Sequence, residues 1–233
     1  MWREAGFEIV GQAVTQRSAV RYVQSSSVDL VVCRDGSPDM DAVQLAKTLA
    51  GLQEPPVVII LSPDKDAEKM RECFLSGVLD YITEPASDLK LRDALERAAN
   101  HIKSSDACSE YRLTVTEYFA EIEGSVKNTA FLKMLEELIS ANEGKVVTVQ
   151  SAAAYFGFNK DYFGRLFRQN TGMTFGEFYK RFRIMYAQKL LATGRYKVHE
   201  VGEMLGFATA DYFTAEFRRR TGKRPSEIRS SGK

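Results

Sequence analysis

Histidine, cysteine and long apolar runs are scarce in these 233 residues. The two histidines, His101 and His199, and the three cysteines, Cys33, Cys73 and Cys108, stand far apart. That spacing excludes a zinc cluster, a paired-cysteine redox motif and a disulfide framework, so no metal and no cofactor is expected. No stretch reaches the roughly 20 apolar residues of a membrane span, and the first residues lack the order of a signal peptide. A cytoplasmic protein without membrane contact is expected. There is also no glycine-rich phosphate loop, no nucleophile elbow and no pair of catalytic carboxylates, so the chain does not read as an enzyme.

Net charge is nearly missing too, at +1, but its distribution is uneven. Residues 1–103 sum to −4 and residues 104–128 to −3, whereas residues 129–233 sum to +8. An acidic first half joined to a basic second half points to a regulatory module carrying a polyanion-binding module.

What is present changes character along the chain. The first hundred residues alternate β-branched runs with helical patterns, as a parallel α/β sheet requires. Strands are predicted over 8–14, 28–33, 56–61 and 79–83, and helices over 15–26, 40–52, 66–77 and 87–102. Residues 104–110 read as a break. Beyond it, Val115, Phe119, Ile122 and Val126 form a short apolar stripe, read as packing against the next domain in preference to a dimerising coiled coil. From residue 130 every segment reads as helix.

That helical region contains a repeat. DYFGRLFRQNTG at 161–172 matches DYFTAEFRRRTG at 211–222, and VQSAAAYFGF at 149–158 matches VHEVGEMLGF at 198–207. Each copy has a short helix with a small residue at its centre (Ala153 or Gly202), a glycine turn (Gly157 or Gly206) and a longer helix closed by glycine, which is a helix-turn-helix plan. The spacing predicts Tyr162, Phe163, Leu166 and Phe167 facing the core in one copy and Tyr212, Phe213 and Phe217 in the other. Asp161, Gly164, Arg165 and Arg168, and Ala210, Asp211, Thr214, Ala215 and Arg218, then point outward. Basic side chains on such a face suit double-stranded DNA.

With RIMYAQKLL, VGEMLGFATADYF and the terminal GKRPSEIR, residues 131–229 resemble the AraC/XylS family of bacterial transcription factors. The resemblance implies an all-α domain whose two recognition helices enter successive major-groove segments, held by the helix over 176–194. It places base reading on Asp161, Gly164 and Arg165 and on Ala210, Asp211, Thr214 and Ala215. Arg165 is the expected direct reader, paired with guanine. Arg168, Arg218, Arg219 and Arg220 are the expected phosphate contacts, and Lys160 is a further expected DNA-binding residue.

The first half, through VDLVVCRDGSPDMDAVQL and VVIILSPDKDAEKMRECFLSGVLDYITEP, resembles the receiver domain of response regulators. This implies a CheY-like, flavodoxin-like parallel sheet, here lacking its first strand. The resemblance puts Arg34 where the phosphoacceptor aspartate belongs and Glu84 where the lysine belongs, while Ser62 keeps the hydroxyl position. Strand alternation predicts that neighbouring Asp35 points away from that site. The whole reads as a receiver-like α/β domain (1–103), a partly helical linker (104–129) and an AraC-type DNA-binding domain (130–233). It is expected to be a sequence-specific transcription regulator, a homodimer that contacts DNA and RNA polymerase, with a pseudo-receiver acting by protein contact. The alternatives are a phosphorylation-switched response regulator of a two-component system and a small-molecule-sensing transcription factor.

Overall fold

The computed structural model describes residues 1–36 and 39–231. The described chain forms two compact units, Met1–Ile102 and the remainder from Lys103 on.

In the first unit, α1 (Gln16–Ser25), α2 (Ala42–Ala50) and α3 (Ala67–Leu75) alternate with β1 (Leu30–Arg34), β2 (Val57–Ser62) and β3 (Asp80–Thr83). The strands are parallel in the order β1-β2-β3, with Val32 opposite Ile59 and Ile60 opposite Tyr81. Strand alternation splits the apolar residues between two cores. Val58 and Ile60 join Cys33, Leu45, Leu49 and Cys73 on one face, and Ile59 joins Ile82, Leu95 and Ala98 on the other. Thr15, Asp41 and Asp66 start the three helices by accepting backbone N–H groups, the ordinary use of such residues ahead of an apolar run.

The strand predicted over 8–14 is not formed. Residues 7–13 have no regular structure, Ile9, Val10 and Val14 are exposed, and β1 pairs with β2 alone among the described strands. Alternation in sequence makes a strand only where a neighbour supplies the ladder, and this segment has none. It is held instead by side-chain and loop bonds, Tyr22 Oη donating to the Val10 carbonyl and Gln16 N to the Asp39 carbonyl at 3.0 Å.

The break expected at 104–110 is also absent, because α4 runs without interruption from Asp88 to Ile122. Its first half lies against the sheet through Ala94, Leu95 and Ala98. Its second half is part of the second unit, with Tyr111, Val115, Tyr118 and Phe119 buried in the core there. A short 3-10 turn (Glu123–Ser125) follows, then α5 (Thr129–Ala141), α6 (Val149–Tyr155), α7 (Lys160–Thr171), α8 (Phe175–Ala192), α9 (Val198–Met204), α10 (Ala210–Thr221) and α11 (Pro225–Ser231).

This core is aromatic. Phe163, Phe167, Phe178, Phe182, Phe213 and Phe217 are fully buried, and burying each contributes about 1.5–3 kcal/mol relative to leaving it in water. The core tyrosines place their hydroxyls on carbonyls, as buried polar tips must. Tyr111 donates to Ile139, Tyr118 to Phe178 at 2.9 Å, and Tyr186 to Ala107 at 2.8 Å.

Candidate nucleic-acid interface and receiver site

The two repeats fold as matching units. In the first, Thr148 and Ser151 form a capping box on α6. Gly157 turns the chain at φ 72°, and Asn159 starts α7 by accepting the Tyr162 N–H at 2.9 Å. Phe163 and Phe167 anchor α7 against Phe131 and Phe175. That leaves Lys160, Asp161, Arg165 and Arg168 exposed, with Gly164 half-buried among them. A Cβ at Gly164 would meet nothing within 4 Å, so the helix presents bare backbone there.

In the second copy Gly206 makes the turn at φ 68° and Thr209 caps α10, accepting the Tyr212 N–H at 3.1 Å. Phe213 and Phe217 are buried, and Ala210, Asp211, Ala215, Arg218 and Arg219 are exposed, with Thr214 half-buried. Gly206 is the more constrained of the two turn glycines, since a Cβ there would stand 2.5 Å from Val146 Cγ2.

Three residues differ from their predicted placement. Tyr162 and Tyr212 are 45% and 44% exposed, not core. Each helix already seals its inner face with two phenylalanines, and the tyrosines sit at the margin, in edge or tilted contact with Phe158 and Phe207. Arg220 was expected to bind phosphate but turns inward, its side chain 14% exposed and paired at 2.5 Å with both Glu216 and Glu177. Glu216, 7% exposed, also accepts from Arg219 at 2.7 Å. The hydrogen bonds from Arg219, joined by those from Arg220, draw the Glu216 carboxyl down from 4.5 to about 2. No residue of this cluster but the arginines was singled out from sequence. The readable signal was an acid with arginines at both +3 and +4 on one helical face.

The long helix α8 holds both copies. Tyr179 Oη accepts the Val147 N–H and donates to the Lys145 carbonyl, both at 3.0 Å, just ahead of α6. Arg183 donates to the Leu205 and Gly206 carbonyls at 2.7 and 3.3 Å and lies over the Phe207 ring, 4.4 Å from its centroid. Burial lowers the pKa of this guanidinium, and the carbonyls and ring compensate its desolvation in part.

At the receiver site the substituted residues pair with each other. Arg34 Nε lies 3.1 Å from Glu84 Oε2, an ion pair between the two residues that the resemblance set at the acceptor and lysine positions. Asp35, whose N–H continues the ladder to the Leu61 carbonyl at 2.8 Å, faces the opposite side from Arg34, toward Cys33 and Cys73, as alternation predicted. Ser62 is on that side too, however, and Asp35 is 6% exposed. Its Oδ2 accepts from Ser62 Oγ at 2.9 Å and meets Lys69 Nζ at 2.7 Å, and Lys69 reaches Asp64 at 3.6 Å. Burial pushes the Asp35 carboxyl up, but bonds from Lys69 and Ser62 outweigh it and hold it below its ordinary value. Lys69 was not recognised in the sequence, because its helix-surface spacing carries no motif.

A response regulator receiver domain matches residues 1–96, and a helix-turn-helix domain matches residues 152–231. The chain is a DNA-binding transcription regulator in which a response regulator receiver domain is followed by a helix-turn-helix domain. Similar chains include the transcriptional regulatory protein HptR of Staphylococcus aureus strain NCTC 8325 / PS 47, 24% identical over 97% of this chain and 89% of that protein. A response regulatory protein of Staphylococcus epidermidis is 24% identical over all of this chain and 91% of its own. A transcriptional regulator from Chromobacterium violaceum, described as having an AraC-type DNA-binding domain, aligns with 52% of this chain and 93% of its own at 20% identity and a TM-score of 0.36.

Proposed function

We propose that this protein is a sequence-specific DNA-binding regulator whose receiver works by protein contact and not by aspartyl phosphorylation. The observation that carries this reading is the Arg34–Glu84 pair. A cation stands where a nucleophilic carboxylate is needed, and the carboxylate opposite would repel a phosphoryl group. Asp35 offers the one competing reading, since it has a hydroxyl and a lysine beside it. Both bonds fall on its Oδ2, however, and its side chain is sealed from solvent. Attack on a phosphoryl donor would require opening the unit to expose that side chain.

In this reading Arg165 reads a base edge, with Asp161, Ala210, Asp211, Thr214 and Ala215 lining the readers and Gly164 allowing close approach. Lys160, Arg168, Arg218 and Arg219 contact phosphates, and Arg220 leaves that set. The protein works in the cytoplasm as a homodimer and communicates with RNA polymerase.

Incubation with acetyl phosphate and Mg²⁺, followed by intact-mass measurement, should leave the mass unchanged. A stoichiometric adduct on Asp35 would overturn the receiver half of the proposal. For the DNA half, Arg165→Ala should cost about 1–3 kcal/mol and relax sequence preference, whereas Arg218→Ala should weaken all sequences alike and flatten the salt slope by about one. An equal and uniform loss in both variants would remove the division of roles.

A further inference from the structure

The two recognition helices are not attached to α8 in the same way. The first, α7, joins α8 through the short turn after its cap at Gly172. The second, α10, reaches α8 along the chain only through the loop after Ala192, helix α9 and the Gly206 turn. Every one of those connections adds freedom, so something other than chain continuity must set the direction of α10.

Besides the buried Phe213 and Phe217, two polar contacts from α8 reach this part of the chain. Arg183 holds the carbonyls of Leu205 and Gly206, just before α10 begins. Glu177, in the first turn of α8 and thus close along the chain to α7, takes Arg220 in the last turn of α10. One contact at each end of a helix fixes its direction as well as its position. Arg220 is itself oriented by Glu216, one turn back on α10. Lys180 adds its charge to the surroundings of both carboxylates and lies over the Tyr212 ring.

The repeat confirms that the arrangement belongs to the second copy alone. At the positions matching Glu216, Arg219 and Arg220 the first copy has Leu166, Gln169 and Asn170. The Asn170 side chain there donates to the Leu166 carbonyl of its own helix, and its backbone carbonyl accepts from Lys127 N, neither of them on α8. Among the described residues the helix that is tethered directly has no ion pair to α8, and the one that is tethered loosely has one.

We infer that the Glu177–Arg220 ion pair, oriented by Glu216, is the positioning device that sets the second DNA-reading helix against the first. It thereby fixes the spacing of the two DNA half-elements that the protein accepts. The inference rests on the DNA-reading role proposed above. Glu177 and Arg220 touch no base in this scheme, and their effect passes through the geometry of α10. Rigidly linked modules gain affinity because the second contact forms within an already bound complex, and slack in the link reduces that gain.

The test uses the full chain and a DNA site selected by it from random sequence. Affinity is measured on the selected site, on the site with the half contacted by α10 scrambled, and on versions with one base pair inserted or removed between the halves. Glu177→Gln keeps the shape and removes the charge that holds Arg220. It should lose roughly tenfold on the intact site, lose nothing on the half-scrambled site, and show a smaller penalty for altered spacing than the wild type. Arg220→Lys, which keeps the charge but loses the fork that meets two carboxylates, should show the same pattern and serves if the first variant folds poorly by circular dichroism. An equal loss on intact and half-scrambled DNA, or an unchanged spacing penalty in both variants, would overturn the brace. Failure of the wild type to enrich any site would instead remove the DNA-reading role beneath it.

Discussion

Glu216 is an acid closed in by arginines, and its chemistry sets a pH limit on the second unit. Its folded pKa, about 2, lies below the ordinary value of 4.5 because Arg219 and Arg220 hold the charged form. A depressed carboxylate contributes stability that is fully present above 4.5 and is lost as pH falls toward 2. Glu177, lowered mainly by the bond from Arg220, adds in the same direction. The urea midpoint should therefore fall between pH 4.5 and 2, and Glu216→Gln should flatten that fall while lowering the plateau at neutral pH. An acid limb with identical slope in the variant would assign the loss to other carboxylates. At this scale the sequence was legible where a residue's neighbours lie along its own helix. Arg165 and Arg168 are on the exposed side of α7 as the spacing required. It was not legible where a partner comes from another element, as with Arg220 and Glu177 or Asp35 and Lys69.

Among the elements, the turn glycines carry the sharpest expectation. Both Gly157 and Gly206 have positive φ, in the region that costs a residue with a Cβ about 1–2 kcal/mol. Gly157 has nothing within 4 Å of an added Cβ, so Gly157→Ala should lose about that amount. Gly206→Ala meets Val146 in addition and should lose clearly more, read as the difference between the two denaturation midpoints. Equal losses would mean that the Val146 side moves aside at no cost. The repeat made these turns visible, because two copies of one pattern restrict each other. Helices with strong apolar spacing were visible for the same reason. The segment over 8–14 misled because its alternation satisfies a strand pattern while no neighbouring strand completes it. The serines and the aspartate of 104–110 misled in the opposite sense, since polar composition marks a break only when nothing packs nearby. Here Asp106 pairs with Arg195, and the carbonyls of Lys103 and Ala107 accept from Tyr196 and Tyr186.

For the whole molecule, that last observation relocates where the DNA-binding part starts. Tyr111, Val115, Tyr118 and Phe119 are core residues of the second unit and lie ahead of residue 130. A fragment beginning at Lys103 should fold and retain DNA binding. One beginning at Ala130 uncovers the surfaces those residues seal, and should melt lower or aggregate. Comparable melting temperatures for the two fragments would show that the second half of α4 contributes nothing to that core. The basic excess that first separated the halves lies in the part beyond residue 129, yet the unit that folds around it extends further back.

The Arg34–Glu84 pair has a consequence for single substitutions at its two positions. Arg34→Asp alone sets two carboxylates face to face across the Arg34–Glu84 gap, and Glu84→Lys alone sets two cations there. Either single change puts like charges across the gap, a penalty that solvent screens because the Arg34 side chain is 76% exposed.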